Sequence, residues 1–170
     1  QEYDIPIFIH PTSFASDRFS AHYLTNIIGN PLDTTVAMHY LIFGGVLERY
    51  PDLKFVLSHG GAFAAAYAGR MDHAYGARPD CRENISMPPS FYLEKFYPDS
   101  LVFTIEQLQY LINRFGADHV LIGTDYPFDM GEYDPVEHVY QVPGLSSANR
   151  DLICGGNALR LMHMTEDEGK

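Results

Sequence analysis

The stretch that decides the fold is residues 55–61, FVLSHGG, in which three apolar residues are followed by a serine, a histidine and two glycines. The same plan recurs where residues 5–9, IPIFI, run into His10, and where residues 120–124, VLIGT, run into Asp125. Short runs that are apolar on both faces are typical of strands in a buried parallel sheet. The sequence therefore predicts an α/β fold built on parallel strands.

Helical patterns separate these runs. After the first strand, apolar residues at spacings of three and four predict one long helix from Asp33 or Thr34 to a stop at residues 50–52. Thr104 has a glutamine three residues later, which resembles the capping box at the start of another helix. The other predicted elements are an Ala-rich helix over 63–77, a weaker third strand over 96–102, and short helices near 135–140, 147–154 and 157–162.

Length leaves two architectures open for a chain of 170 residues with four strand–helix units. A closed (β/α)₈ barrel has eight strands and typically about 250 residues, so four units would make half of one. The alternative is a small open α/β sheet, which length alone slightly favours. Because the chain opens at Gln1 rather than at Met and enters a strand within a few residues, we expect it to be a piece of a larger protein.

Composition narrows the classes of function. The chain is 46% hydrophobic and 19% charged, which is typical of a globular protein with a core. Its net charge of −11 argues against nucleic acid and anionic membranes as partners. No apolar stretch approaches the roughly 20 residues of a membrane span, and no secretory signal pattern is visible. Two cysteines, Cys81 and Cys154, are too few for a disulfide scaffold, so we expect a cytoplasmic protein.

Three residues are the candidates for chemistry: His10, His59 and Asp125. Each follows an apolar run, and the carboxyl ends of parallel strands meet at one edge of a sheet. Two imidazoles and a carboxylate can bind Zn²⁺ or Mn²⁺, or can form an acid–base site. Alternatively, the histidines are hydrogen-bonded structural residues and the aspartate caps a turn. We favour the functional interpretation because all three occupy equivalent positions.

Five short motifs carry a resemblance to a known family. In chain order they are residues 7–11 (IFIHP), 29–33 (GNPLD), 57–61 (LSHGG), 69–73 (GRMDH) and 121–128 (LIGTDYPF). In that order and spacing they resemble the second half of the metal-dependent amidohydrolase-2 family. Within that family the sequence most resembles the aminocarboxymuconate-semialdehyde decarboxylases and their relatives that act on aromatic carboxylic acids. Residues 93–100 and 156–158 also fit, so the resemblance covers nearly the whole chain.

The resemblance implies a distorted (β/α)₈ barrel of which this chain holds strands five to eight. It matches His10 and Asp125 to metal ligands, with Asp125 also in the catalytic set. It matches His59 to a catalytic histidine that handles protons beside the metal. Arg70 matches an arginine that reaches the site of a neighbouring subunit and holds a substrate carboxylate there. The family's first strand also carries a His-x-His pair that completes the metal site, and this sequence contains no such pair.

We therefore expect a metal-dependent carbon–carbon lyase that decarboxylates a small unsaturated or aromatic carboxylate. Residues 1–164 would form the partial barrel domain, and residues 165–170 a polar tail. The expected cofactor is zinc, with manganese as the alternative, and the complete protein is expected to be a homo-oligomer. Two alternatives stay open: metal-dependent hydrolysis of an ester, lactone or amide, and a truncated chain without catalytic activity.

Overall fold

The structure, a computed structural model, describes residues 2–12, 14 and 16–165. Its sheet holds three parallel strands in the order β1 (Ile7–Ile9), β2 (Phe55–Leu57) and β3 (Tyr97–Pro98). The register pairs Ile7 with Phe55 and Ile9 with Leu57. The predicted parallel α/β class is thus confirmed. The predicted polar tail, apart from Thr165, lies outside the described residues.

Helices make the connections between these strands. They are α1 (Asn30–Phe43), α2 (Val46–Arg49), α3 (Ala64–Ala77), α4 (Pro89–Leu93), α5 (Ile105–Phe115), α6 (Pro135–Tyr140), α7 (Ser147–Asp151) and α8 (Asn157–Leu161). Parallel neighbours need a crossover connection, which α1 and α2 provide between β1 and β2, and α3 and α4 provide between β2 and β3. Among the described residues, no helix has the length and apolar character that crossing a membrane requires.

The long helix predicted after the first strand is in fact two helices. α1 begins at Asn30, earlier than predicted, because Pro31 fits the first helical turn and Asp33 lies within that turn instead of capping it. The chain then turns at Gly45, whose φ of 68° lies in the left-handed region. A Cβ at this glycine would stand 2.3 Å from the Asn84 carbonyl oxygen, so the turn requires glycine. α2 follows and ends at the predicted stop.

The core lies where the sheet meets the helices on its sides. α1 contributes Met38 and Ile42, β2 contributes Leu57, α3 contributes Met71 and α5 contributes Leu108, all of them buried in one cluster. Complete burial of one such side chain stabilises the fold by about 1.5–3 kcal/mol. The amphipathic helix predicted after Thr104 is confirmed, since its apolar stripe is the buried face of α5.

The predicted fourth strand at 120–124 is wrong as a strand. These residues form a single parallel bridge between Asp99 and Leu121. The next N–H, that of Ile122, donates to a carbonyl of the π-helical turn after α7, at 3.0 Å. This bond draws the backbone away from the sheet and ends the ladder. The predicted third strand likewise shrinks to β3, where Pro98 has no N–H to donate.

The outer edge of β1 has no partner strand in the described part of the chain. Ile5, Ile7 and Phe8 along this edge are 66%, 44% and 60% exposed. Natural proteins seldom leave an apolar strand edge open, because it pairs with other chains. Apolar side chains grouped on such an edge mark a surface that another element covers.

Candidate metal centre

The three predicted site residues lie together at the carboxyl edge of the sheet. His10 follows β1, His59 opens the turn after β2, and Asp125 follows the bridge at Leu121. One ligand atom from each side chain lies within 4.8 Å of the other two. His10 Nε2 and Asp125 Oδ1 are 3.4 Å apart, and the two imidazole centroids are 5.1 Å apart.

The donor set fits a divalent metal. Two ligands that are each about 2.1 Å from a tetrahedral ion stand roughly 3.4 Å apart. This is the separation of His10 Nε2 from Asp125 Oδ1, 3.4 Å. Imidazole nitrogen together with carboxylate oxygen suits zinc or manganese. The arrangement can therefore hold one ion between these two side chains, with His59 beside it.

Burial sets the electrostatics of the cluster. The Asp125 side chain is 8% exposed and that of His10 is 34% exposed, so the carboxylate lies deeper than the first imidazole. Burial lowers the pKa of His59, the charge of Asp125 opposes this shift, and His10 adds to it. The His59 imidazole is therefore neutral near pH 7 and can accept a proton.

The backbone around the cluster is strained. His59 and Asp125 have φ values of 57° and 53°, in the left-handed region that non-glycine residues seldom adopt. Each such residue costs about 1–3 kcal/mol and persists only where its surroundings hold it in place. One of the groups that hold it is Asp99, whose Oδ1 accepts the N–H of Gly60 at 2.7 Å and that of Leu101 at 3.1 Å.

Asp99 is the site residue that sequence reasoning missed. It directly follows β3, so its position is equivalent to those of the three predicted residues. The sequence signal that could have identified it is a carboxylate directly after the Tyr97–Pro98 pair. Burial raises its pKa to about 6, and the N–H donors oppose this shift only partly. The lack of a side chain at Gly123 makes room for it, because a Cβ there would stand 2.9 Å from the carboxyl Cγ of Asp99.

Two cavities border the cluster on different sides. One, of about 490 Å³, is lined by His10, Asp99 and Asp125 and reaches Phe8 on the open edge of β1. The other, of about 280 Å³, is lined by Asp125 and His59 and leads away among side chains of neighbouring loops. Asp125 therefore faces both spaces, and a molecule in either one would meet the cluster.

Arg70 lies elsewhere. It is exposed on α3 and lines a groove of about 540 Å³ together with His39, Phe43 and Tyr67. None of the three cluster residues lines that groove. The predicted contact of Arg70 with a substrate carboxylate stays a prediction.

Comparisons with known proteins give matches over most of the chain. The sequence profile of the amidohydrolase family matches residues 1–163. The 2-amino-3-carboxymuconate-6-semialdehyde decarboxylase of Dictyostelium discoideum is 38% identical over 158 residues, which are 92% of this chain and 44% of that protein.

Solved structures give the same result for the fold. A 5-carboxyvanillate decarboxylase from Sphingomonas paucimobilis has a TM-score of 0.85 at 26% identity, and the match covers 96% of this chain and 51% of that chain. A dihydroxybenzoic acid decarboxylase from Polaromonas sp. JS666, solved with bound manganese and 2-nitroresorcinol, has a TM-score of 0.81 at 24% identity, and the match covers 95% of this chain and 51% of that chain. The chain thus spans about half the length of the relatives that it matches.

Proposed function

The chain belongs to the amidohydrolase family, and on that premise we propose that it forms strands five to eight of a (β/α)₈ barrel enzyme. That enzyme would use a divalent metal to decarboxylate a small aromatic or unsaturated carboxylate. The observation that carries the proposal is the cluster of His10, His59 and Asp125, whose ligand atoms lie within 4.8 Å of one another. Its position supports this, because active sites of such barrels lie at the carboxyl ends of the strands.

His10 and Asp125 would hold the metal. A catalytic zinc site has three protein ligands, and this pair supplies two, so a further ligand must come from outside these residues. Zinc is the expected ion, and the manganese in the Polaromonas decarboxylase supports manganese as the alternative. The bound ion would supply positive charge that stabilises the negative charge developing on the substrate.

His59 would move the proton. Its lowered pKa means that the imidazole enters the reaction neutral and can take a proton from the substrate or from water. It would return that proton to the carbon atom that has lost CO₂. Gly60 and Gly61 follow directly, both with φ in the left-handed region and both buried against the core, so they form the tight turn that carries His59.

Arg70 would act across a subunit boundary. It lines a groove that none of the cluster residues lines, which supports a contact with a substrate carboxylate in the site of a neighbouring copy. A guanidinium grips a carboxylate through two parallel hydrogen bonds. The proposal therefore includes a homo-oligomer in which each α3 contributes this arginine to its neighbour.

The test is His59→Ala in the protein expressed from its complete coding sequence. We expect kcat for CO₂ release from 2,6-dihydroxybenzoate to fall by roughly 10²-fold, because the proton shuttle is lost. Bound zinc and manganese, measured by elemental analysis, should stay near the wild-type amount. His73→Ala, on the exposed surface of α3, is the matched control and should change neither quantity.

Two outcomes would contradict the proposal. Near-native turnover in His59→Ala with metal still bound would remove the proton-shuttle role. Hydrolysis of an ester such as phenyl acetate, without CO₂ release from any aromatic carboxylate, would replace decarboxylation by the hydrolase alternative.

A further inference from the structure

The cavity of about 280 Å³ beside the cluster is lined by chemically different groups. His59 and Asp125 are its reactive side chains, and Asn26 and Gln107 are polar and uncharged. The apolar part of the lining includes Ile27, Phe63, Val102, Phe103 and Met130. Among the described residues that line it, none is a lysine or an arginine.

Phe103 is the most unusual of these wall residues. Its φ of 62° lies in the left-handed region, where a bulky side chain is a true outlier. A tight turn holds it there, because the N–H of Thr104 donates to the carbonyl of Val102 at 2.9 Å. The residue is nevertheless 49% exposed, so burial in the core does not account for this conformation.

Strained backbone is concentrated around this one cavity. Eight non-glycine residues in the described part of the chain have positive φ. Four of them, His59, Ala62, Phe103 and Asp125, line the cavity. Such residues cluster at active sites and ligand clamps, where the strain positions groups for a ligand. Phe103 therefore lines the same cavity as His59 and Asp125, the proposed reacting groups, whose backbone is strained in the same way.

We infer that this cavity holds the ring of the substrate and that Phe103 is its specificity-determining contact. The inference rests on the proposed function, in which the substrate carboxylate would meet the metal and His59. The rest of the cavity suits an uncharged planar ring, because apolar and aromatic side chains make up most of its described lining and no lysine or arginine is among them. The volume lies just below the roughly 300 Å³ at which pockets for drug-sized ligands begin, so it suits a single ring.

Gln107 supplies a polar group to the lining of the cavity. Its Oε1 accepts the hydroxyl of Thr104 at 3.2 Å, which fixes the orientation of the amide. The amide NH₂ group is then the part that can donate to a hydroxyl or carbonyl on the ring. The cavity therefore favours aromatic rings with neutral oxygen substituents.

The experiment compares benzoate with cyclohexanecarboxylate as probes of the manganese-loaded protein, expressed from its complete coding sequence. Calorimetry gives the two affinities, and ¹³C-methyl labelling of methionine reports on Met130 at the cavity wall. We expect benzoate to bind more tightly and to shift the Met130 methyl signal by its ring current. Met162, which does not line the cavity, should not shift.

Phe103→Gly is the decisive variant, because glycine removes the ring and also relieves the left-handed strain. We expect about 10-fold weaker binding of benzoate and no preference over cyclohexanecarboxylate. The midpoint of urea unfolding should not fall, which separates a binding role from a structural one. Phe103→Leu, which keeps an apolar side chain, should lose only the preference for the aromatic probe. Phe91→Ala on α4 is the matched control and should bind both probes as the wild type does.

Failure of the inference differs from failure of the proposed function. Benzoate that does not bind, an unshifted Met130 signal, or unchanged affinity in Phe103→Gly would overturn the inference even where CO₂ is released. Binding that follows the expected pattern without CO₂ release would uphold the ring pocket and overturn the decarboxylase.

Discussion

Replacing Asp99 by asparagine should change how the stability of the protein depends on pH. The residue is 7% exposed, and its Oδ1 accepts the N–H of Gly60 and that of Leu101. Burial raises its pKa from the ordinary 3.8 to about 6, because these donors only partly replace the lost hydration. An asparagine keeps one acceptor oxygen for the same donors and has no proton to release.

The size of the effect follows from the two pKa values. In the unfolded chain the carboxyl group loses its proton near pH 3.8, whereas in the folded protein it keeps the proton up to about pH 6. Between these values the folded state binds more protons, so the free energy of unfolding falls as the pH rises. A gap of about two units corresponds to ~3 kcal/mol lost between pH 4 and pH 7.

Urea unfolding followed by circular dichroism at pH 4, 5, 6 and 7 measures this dependence. Most other groups titrate in wild type and in Asp99→Asn alike, so the difference between the two curves isolates Asp99. We expect Asp99→Asn to gain stability relative to wild type by ~3 kcal/mol over this range. Asp151→Asn, an exposed carboxylate on α7, controls for the loss of one negative charge. Parallel curves for wild type and Asp99→Asn would refute the raised pKa.

Two further predictions concern the fold. Gly60→Ala should lower the free energy of unfolding by roughly 2–5 kcal/mol in urea titrations, because its φ is 63° and the new Cβ would lie 2.3 Å from Val102 Cγ1. Gly69→Ala, on α3 with open space around it, should instead add about 1 kcal/mol, and equal losses in both variants would contradict this reasoning. Residues 1–170 expressed alone should self-associate in size-exclusion chromatography, because the β1 edge is apolar and has no partner strand among the described residues. A monodisperse monomer that melts cooperatively would support the open sheet instead of the half barrel.

Sequence alone predicted the cluster because its signals are local. His10, His59 and Asp125 each follow a run of β-forming residues, and parallel pairing brings such positions to one edge without further information. β2 and α5 were predicted for the same reason, since apolar runs and a capping box are properties of neighbouring residues.

The rest depended on contacts between distant residues. Residues 120–124 look like a strand by composition, but the N–H of Ile122 bonds to a turn about thirty positions later. Asp99 looks like a surface carboxylate in sequence. Only the fold shows that it accepts a hydrogen bond from the backbone N–H of Gly60, 39 residues earlier in the chain. Phe103 gave no sequence signal either, because its strained φ is set by the turn that contains it.

In the proposed barrel, the face that completes the fold is also the face that completes the metal site. The larger cavity beside the cluster runs from His10 and Asp125 to Phe8 on the open edge of β1. A strand that paired with this edge would cover Phe8 and would bring its own side chains to the same cavity. The two ligands in this chain fall short of the three that a catalytic zinc needs. In that barrel, pairing of the β1 edge would bury an apolar surface and would supply a further ligand in one step, so metal affinity and stability should rise together.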